Sequence, residues 1–202
     1  MKAVLMYGSV AMLALSVLLP SGRSQQDPQS FLRHKCMNNE KLIMLAIAMY
    51  SDSNQGRCPM DSANPTLVRC MQLLSNVFIH YGFRDENVPT NACPVPGNKT
   101  AEVFFCPEDR RPGARPEPDF KKLTTLNISY SYVPNLIWRD RPDSPVIMDR
   151  IYSTKKGSRW PADGNNGDSG GFVAFDDGHV SWQSMLPCDL KDKTGKQVVL
   201  SP

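Results

Sequence analysis

The chain has 202 residues, 41% hydrophobic and 21% charged, with a formal net charge of +3. This is ordinary globular composition, long enough for one well-buried domain and giving no argument for two. The basic pairs Arg110-Arg111, Lys121-Lys122 and Lys155-Lys156 are scattered among Pro and Gly, not massed on a helix or interleaved with aromatics, so nucleic acid is not the expected partner.

At the N-terminus, Lys2 precedes an uncharged run over residues 3–20, followed by Ser21-Gly22-Arg23-Ser24-Gln25. Small residues at 22 and 24 suit a secretory signal cut after Ser24. The same run approaches the roughly 18–20 apolar residues that span a bilayer, so an uncleaved anchor is the competing reading. The expected division is residues 1–24 as signal peptide or membrane anchor and 25–202 as the globular domain, exported in either case.

Asp27-Pro28 reads as an N-cap with Pro at the first helical position, and Gly56 as the stop, which predicts one long helix between them. Its second half, residues 42–50, is apolar nearly all round and should be wrapped by other elements, while residues 31–41 are polar. Asn64-Pro65 begins a second helix, with Leu67, Cys70, Met71, Leu74, Val77, Phe78 and Tyr81 at helical spacing and Gly82 closing it. His34 and His80 read most simply as partly exposed helix residues.

Residues 83–119 are rich in Pro, Gly, Asn and charge. One apolar run, Val103-Phe104-Phe105-Cys106, predicts a strand there, and residues 110–119 an exposed loop. Beyond it Ile128, Tyr130 and Tyr132 alternate with Asn127, Ser129 and Ser131, the pattern of a half-buried strand. Pro145-Val146-Ile147-Met148 reads as a second strand, residues 172–182 as a hairpin, and Val198-Val199-Leu200 as a short edge. The fold class expected is α+β, with a long N-terminal helix and a second helix packed on a small antiparallel sheet.

Six cysteines, at 36, 58, 70, 93, 106 and 188, show neither Cys-x-x-Cys nor zinc-type histidine spacing. Export favours disulfides. Fifteen connectivities exist for six cysteines; Cys93 with Cys106 is the preferred pair, each standing before a Pro and closing a short loop worth about 3 kcal/mol of chain entropy.

The stretch from Gly167 to Trp182 supports competing readings. Gly167-Asp168-Ser169-Gly170-Gly171 resembles the nucleophile loop of chymotrypsin-like serine proteases. The catalytic alternative therefore takes Ser169 as nucleophile with His34 and Asp85 as triad partners in the order His, Asp, Ser. Against it stand the two long helices, the few residues before His34, and Phe172 where that family carries Pro. Asp176-Asp177-Gly178-His179 predicts a hairpin turn of type I′, its motif residues being Asp177, Gly178 and His179. A third reading takes the oxygen-rich loop Asp163-Gly164-Asn165-Asn166-Gly167-Asp168 as a candidate calcium site with Asp163, Asn165 and Asp168 as ligands; Asp149 and Asp176 join only if the fold brings them near. The same residues are turn formers without any metal.

Taken in order, several segments resemble the type IV pilin-like and pseudopilin proteins, in particular the bacterial subfamily with a C-terminal histidine, nine residues and Asp-Gly. Cys36-Met37-Asn38-Asn39-Glu40-Lys41-Leu42-Ile43 is similar to that family's Cys-x-Asn-Asn-Leu-Lys-x-Ile, and residues 49–57 to its Tyr-x-Asp-x-Asn-x-Gly turn. Val103-Phe104-Phe105-Cys106-Pro107-Glu108-Asp109 is similar to Phe-x-Cys-Pro-x-Asp, and residues 129–132, 146–150 and 170–182 to its strands and closing hairpin. Two positions depart: Gly8 is followed by Ser9-Val10-Ala11-Met12-Leu13, without the Glu of the prepilin peptidase site, and Gly167 stands where the subfamily has its histidine. The resemblance implies a non-enzymatic, divergent pseudopilin-like protein, periplasmic or anchored in the inner membrane. Its partners would be the proteins of a type II secretion or type IV pilus-like assembly, and it raises the prospect of calcium.

Overall fold

The computed structural model describes residues 28–81 and 101–202. The signal or anchor segment, the Gly82 stop, Asp85 and Cys93 lie outside these residues.

Helix α1 runs over Pro28–Ser53. Cys36, Glu40, Ile43, Ile47 and Ser51 fall at three- and four-residue spacing and are all fully buried, which draws one stripe of the helix onto the rest of the molecule. It ends where Asn54 N–H and Gly56 N–H both donate to the Ser51 carbonyl, at 3.0 and 2.8 Å. The amide of Asn54 caps the Tyr50 carbonyl at 2.7 Å. The apolar second half is wrapped as expected except at Leu45, which is 47% exposed.

The second helical run begins at Thr66, not Asn64, because the Thr66 hydroxyl accepts from Arg69 N–H. A tightened turn, in which Leu74 N–H reaches the Met71 carbonyl three residues back, divides the run into α2, Leu67–Leu73, and α3, Ser75–Tyr81. Phe78 of α3, Phe104 and Phe120 pack mutually at 5.8–6.0 Å between ring centroids, filling the space beside α1.

The sheet has four antiparallel strands in chain order: β1 Tyr130–Tyr132, β2 Pro145–Asp149, β3 Gly171–Phe175 and β4 Val180–Gln183. Helix α1 touches β2, β3 and β4. The chain is thus α+β, as its element order implied. Residues 198–200 meet the free edge of β1 at one bridge, Tyr132 and Leu200 exchanging two hydrogen bonds of 2.8 Å, which covers an otherwise open edge.

Three expectations are corrected. Strand β1 is buried on both faces. Its tyrosines point toward α1 and its C-terminal turn, Tyr130 donating to the Cys36 carbonyl and Tyr132 to the Pro59 carbonyl. Ser131 faces the C-terminal chain, bonded to Ser201 and to Ile151 N–H. The alternation of Tyr and Ser therefore records two covered faces, the polar one satisfied by hydrogen bonds instead of water. The run at 103–106 is not a strand; Ala101–Phe104 form a 3-10 turn. Only the Phe104 carbonyl and Cys106 N–H reach residue 129, so no ladder develops.

Cys106 bonds to Cys36 of α1, with Cα atoms 5.0 Å apart, and so cannot pair with Cys93. The reason lies in the core. Both half-cystines are fully buried where the helix stripe meets the turn at 101–106, a contact between segments 70 residues apart that spacing along the chain does not reveal.

Candidate functional site

The loop between Asp149 and Gly171 folds over the end of the sheet and is held there by one carboxylate. Asp149, last residue of β2 and 1% exposed, accepts hydrogen bonds from Phe172 N–H at 2.8 Å, from the Asn166 amide at 2.7 Å, and from the Asn165 amide. Asn165 also donates to the Ser129 carbonyl at 2.9 Å. Burial pushes the Asp149 carboxyl up to about 6, the three donors opposing that rise.

A second buried acid accompanies it. Glu40 of α1 is fully buried, and neither carboxyl oxygen has a hydrogen-bond partner among the described residues. Burial first, and the charge of Asp149 second, raise its pKa well above the ordinary carboxylate value. Tyr130 lies in the same field, its hydroxyl raised by burial and then by Glu40 and Asp149. The loop is thus tied to the sheet through Asp149 and the Ser129 carbonyl, with the buried Glu40 of α1 acting on Asp149's charge and making no bond of its own among the described residues. Residues 36–47 carry the one legible signal of this arrangement, a carboxylate among apolar positions at helical spacing; the sequence offers Asn165 as a candidate calcium ligand and Asn166 as part of the same turn-forming loop, and neither as a partner of Asp149.

The glycines of Gly167-Asp168-Ser169-Gly170-Gly171 have a packing reason. A Cβ on Gly170 (φ +149°) would lie 2.5 Å from the Trp182 ring, and one on Gly171 2.6 Å from Trp160. Two indoles close against this backbone from either side, and only glycine leaves them room. Ser169 belongs to the 3-10 turn Gly167–Ser169, and its hydroxyl donates to the Asn166 carbonyl at 2.9 Å. The His34 ring nitrogen is engaged by the Ser30 carbonyl one turn back in α1, at 2.6 Å. Ser169 and His34 share no hydrogen bond, and Asp85 lies outside the described residues.

The candidate calcium ligands diverge. Asp163 accepts from the Tyr152 hydroxyl at 2.8 Å and lies 3.3 Å from the buried Arg150 guanidinium. The bond from Tyr152, ahead of the Arg150 charge, lowers its pKa. Asn165 turns its amide inward to Asp149, and Asp168 is exposed on the 3-10 turn. Asp176 accepts from Arg141 N–H at the far end of β3. Calcium needs six to eight converging oxygens; a guanidinium beside Asp163 and an inward-turned amide do not supply them, so this donor set does not fit the ion. Among the described residues no group of three or more His, Cys, Asp or Glu is placed to hold a metal.

The hairpin forms as expected, but its turn differs. The loop has three residues: Gly178 N–H donates to the Phe175 carbonyl at 2.8 Å, and Phe175 N–H to the His179 carbonyl at 2.9 Å. Gly178 is left-handed (φ +91°), while neither Asp176 nor Asp177 has positive φ. This is a type I turn followed by a glycine bulge, the common three-residue alternative to type I′. Asp177 bonds His179 through both its backbone N–H and its ring Nδ1, and the imidazole stacks on Phe175 at 4.4 Å. Those bonds, the backbone one foremost, lower the Asp177 pKa. At the other end of the hairpin Trp182 packs edge-on against Phe172 and receives the Arg33 guanidinium of α1 over its ring at 5.4 Å.

No family model, curated protein or solved structure matches the chain. Among the described residues no helix is long and apolar enough to cross a membrane.

Proposed function

We propose that the protein is an exported, pseudopilin-like subunit that acts through protein contacts in or beside a type II secretion or type IV pilus-like assembly, not through catalysis. The observation that carries this reading is the way α1 is mounted. From Cys36 onward the helix is fastened to the head by the bond to Cys106, by Tyr130 and by its buried stripe. In the turns before Cys36, Arg33 reaches the head, over Trp182, while Phe31 is 63% exposed; in sequence they follow the apolar run at 3–20. A fastened head whose helix starts with an exposed Phe31, preceded in sequence by an apolar segment, suits a subunit that hands its N-terminal side to other chains or to the inner membrane from the periplasm. The engagement of Ser169 by Asn166 adds nothing for the protease alternative.

The test places a photo-crosslinking amino acid at Phe31 of the full-length protein in its native cell. The expected result is export dependent on residues 1–24 and a crosslink to a second copy of the chain or to a pilin-like subunit identified by mass spectrometry. Recovery of the protein in the cytoplasm without such a crosslink refutes the reading.

A further inference from the structure

Among the described residues three non-glycines have left-handed backbone, Gln55 (φ +59°), Asn135 (φ +61°) and Arg139 (φ +63°), and all three gather at one place. They flank the short antiparallel contact of Arg57 with Ile137, where Cys58 N–H donates to the Leu136 carbonyl at 3.1 Å and Trp138 N–H to the Gly56 carbonyl at 2.8 Å. Gln55 takes this conformation as the left-handed residue of the C-terminal cap of α1, where Gly56 N–H returns to the Ser51 carbonyl, and Asn adopts it readily, so the three mark a tightly bent junction between the end of α1 and residues 135–139. Gln55 and Asn135 both line a cleft of about 460 Å³, within the size range of ligand sites.

The cleft is polar and one-signed. Arg57 and Lys193 line it with the carboxamides of Asn54, Gln55 and Asn135, and among the described residues no carboxylate lines it. Among the described residues neither cation takes part in a salt bridge, and the Gln55 carboxamide makes no hydrogen bond. Asp192, which Asn135 approaches at 3.5 Å, is 5% exposed and turned into its own bend, accepting from Thr194 and Lys196. At this end of α1 the Tyr50 carbonyl accepts from the Asn54 amide and the Ser51 carbonyl from the N–H groups of Asn54 and Gly56. Met60 and the buried Leu136 add an apolar surface to the same cleft.

We infer that this cleft binds an acidic peptide segment of a partner protein. Its Asp or Glu carboxylates face Arg57 and Lys193, and its peptide groups pair with the carboxamides of Gln55 and Asn135. A carboxamide offers one donor and one acceptor side by side, the complement of a peptide N–H and C=O; Met60 and Leu136 take the aliphatic stems. The inference rests on the reading that the head works through protein contacts and says what those contacts recognise.

Fluorescence anisotropy of the full-length protein tests it, with a fluorescein-labelled peptide of alternating Glu and Ala, its Gln-for-Glu counterpart, and tetragalacturonate as a competing acidic saccharide. The Glu peptide is expected to bind at least about tenfold more tightly than the Gln peptide, and the double variant R57Q/K193Q to lose at least about tenfold in affinity without loss of melting temperature. Gln55→Gly and Asn135→Gly are expected to weaken binding while raising the melting temperature, since glycine tolerates the left-handed conformation. Equal binding of the two peptides, no binding at millimolar peptide, an unaffected double variant, or stronger displacement by tetragalacturonate than by unlabelled Glu peptide overturns the inference. Failure of the wild-type protein to bind the Glu peptide, with the Phe31 crosslink present, overturns this inference alone; failure of both overturns the reading beneath it.

Discussion

Replacing Glu40 should stabilise the protein, most strongly at alkaline pH. The side chain is fully buried, neither carboxyl oxygen has a partner among the described residues, and ionised Asp149 acts on it. Asp149 ionises first, with a pKa raised to about 6, and its charge then adds to burial in holding the Glu40 proton on. For both acids the folded pKa lies above the unfolded one, so the folded state binds more protons. Their contribution is fully present below the unfolded value, near pH 4, and is lost as pH rises through the folded value. For Asp149 the rise from 3.8 to about 6 corresponds to about 3 kcal/mol lost by neutral pH. Glu40 extends the loss to higher pH.

Glu40→Leu removes the unsatisfied oxygens and the second acid together, and should gain about 1–3 kcal/mol at about pH 8, the gain shrinking as pH falls. Glu40→Gln keeps the shape, removes the charge and should fall between. The assay is urea unfolding of wild type and both variants from about pH 5 to 8, a window above the titration of Asp61, Asp163, Asp177 and Asp192. Those four have lowered pKa values and lose their contribution only as pH falls. Wild-type stability that rises from pH 5 to 8, or a Leu variant less stable than wild type at pH 8, refutes the reasoning, because either requires Glu40 to be ionised and paired.

Reducing the Cys36–Cys106 bond, or changing both residues to Ala, should cost about 4 kcal/mol in the chain-entropy model, since the bond closes a loop of 70 residues; non-reducing peptide mapping should recover the 36–106 pair, and a 93–106 peptide would contradict the fold. Gly170→Ala and Gly171→Ala should each destabilise by about 3 kcal/mol or more, because each Cβ meets a tryptophan ring. Ser169→Ala, which removes only a turn hydrogen bond, should stay within about 1 kcal/mol; an esterase or peptidase rate abolished by Ser169→Ala would instead restore the catalytic reading. Chelation of calcium should leave the melting temperature unchanged, and a rise on adding calcium would show that the donors converge elsewhere.

The elements legible in the chain were those set by local rules. Proline at the start and Asn-Gln-Gly at the end bounded α1, β-prone runs around Asp-Gly marked the hairpin, and the run at 145–148 marked β2. What failed depended on contacts distant in sequence. The 103–106 run has strand composition, but its partner is residue 129, reached through one carbonyl and one serine hydroxyl, so no ladder forms. Ser131 looked solvent-facing because its partners, Ile151 and Ser201, lie 20 and 70 residues away.

The site misled for a related reason: Asp, Asn, Ser and Gly serve turns, metals and nucleophiles alike, and their sequence is the same in each case. Geometry separates the roles. At Gly170 and Gly171 the glycines make room for Trp182 and Trp160, residues twelve and eleven positions away on opposite sides of the loop. At Asn165 and Asn166 the amides answer a carboxylate at the end of β2 that no local pattern points to. Glu40 is different in kind. It stands between Cys36 and Ile43, on a stripe whose other members up to Ile47 are apolar, at the position where the pilin-like pattern carries Leu. Its spacing to Cys36, Ile43 and Ile47 outweighs the polar character of residues 31–41 and carries the carboxylate inside the molecule, and the fall of stability with rising pH is the direct measure of what that burial costs.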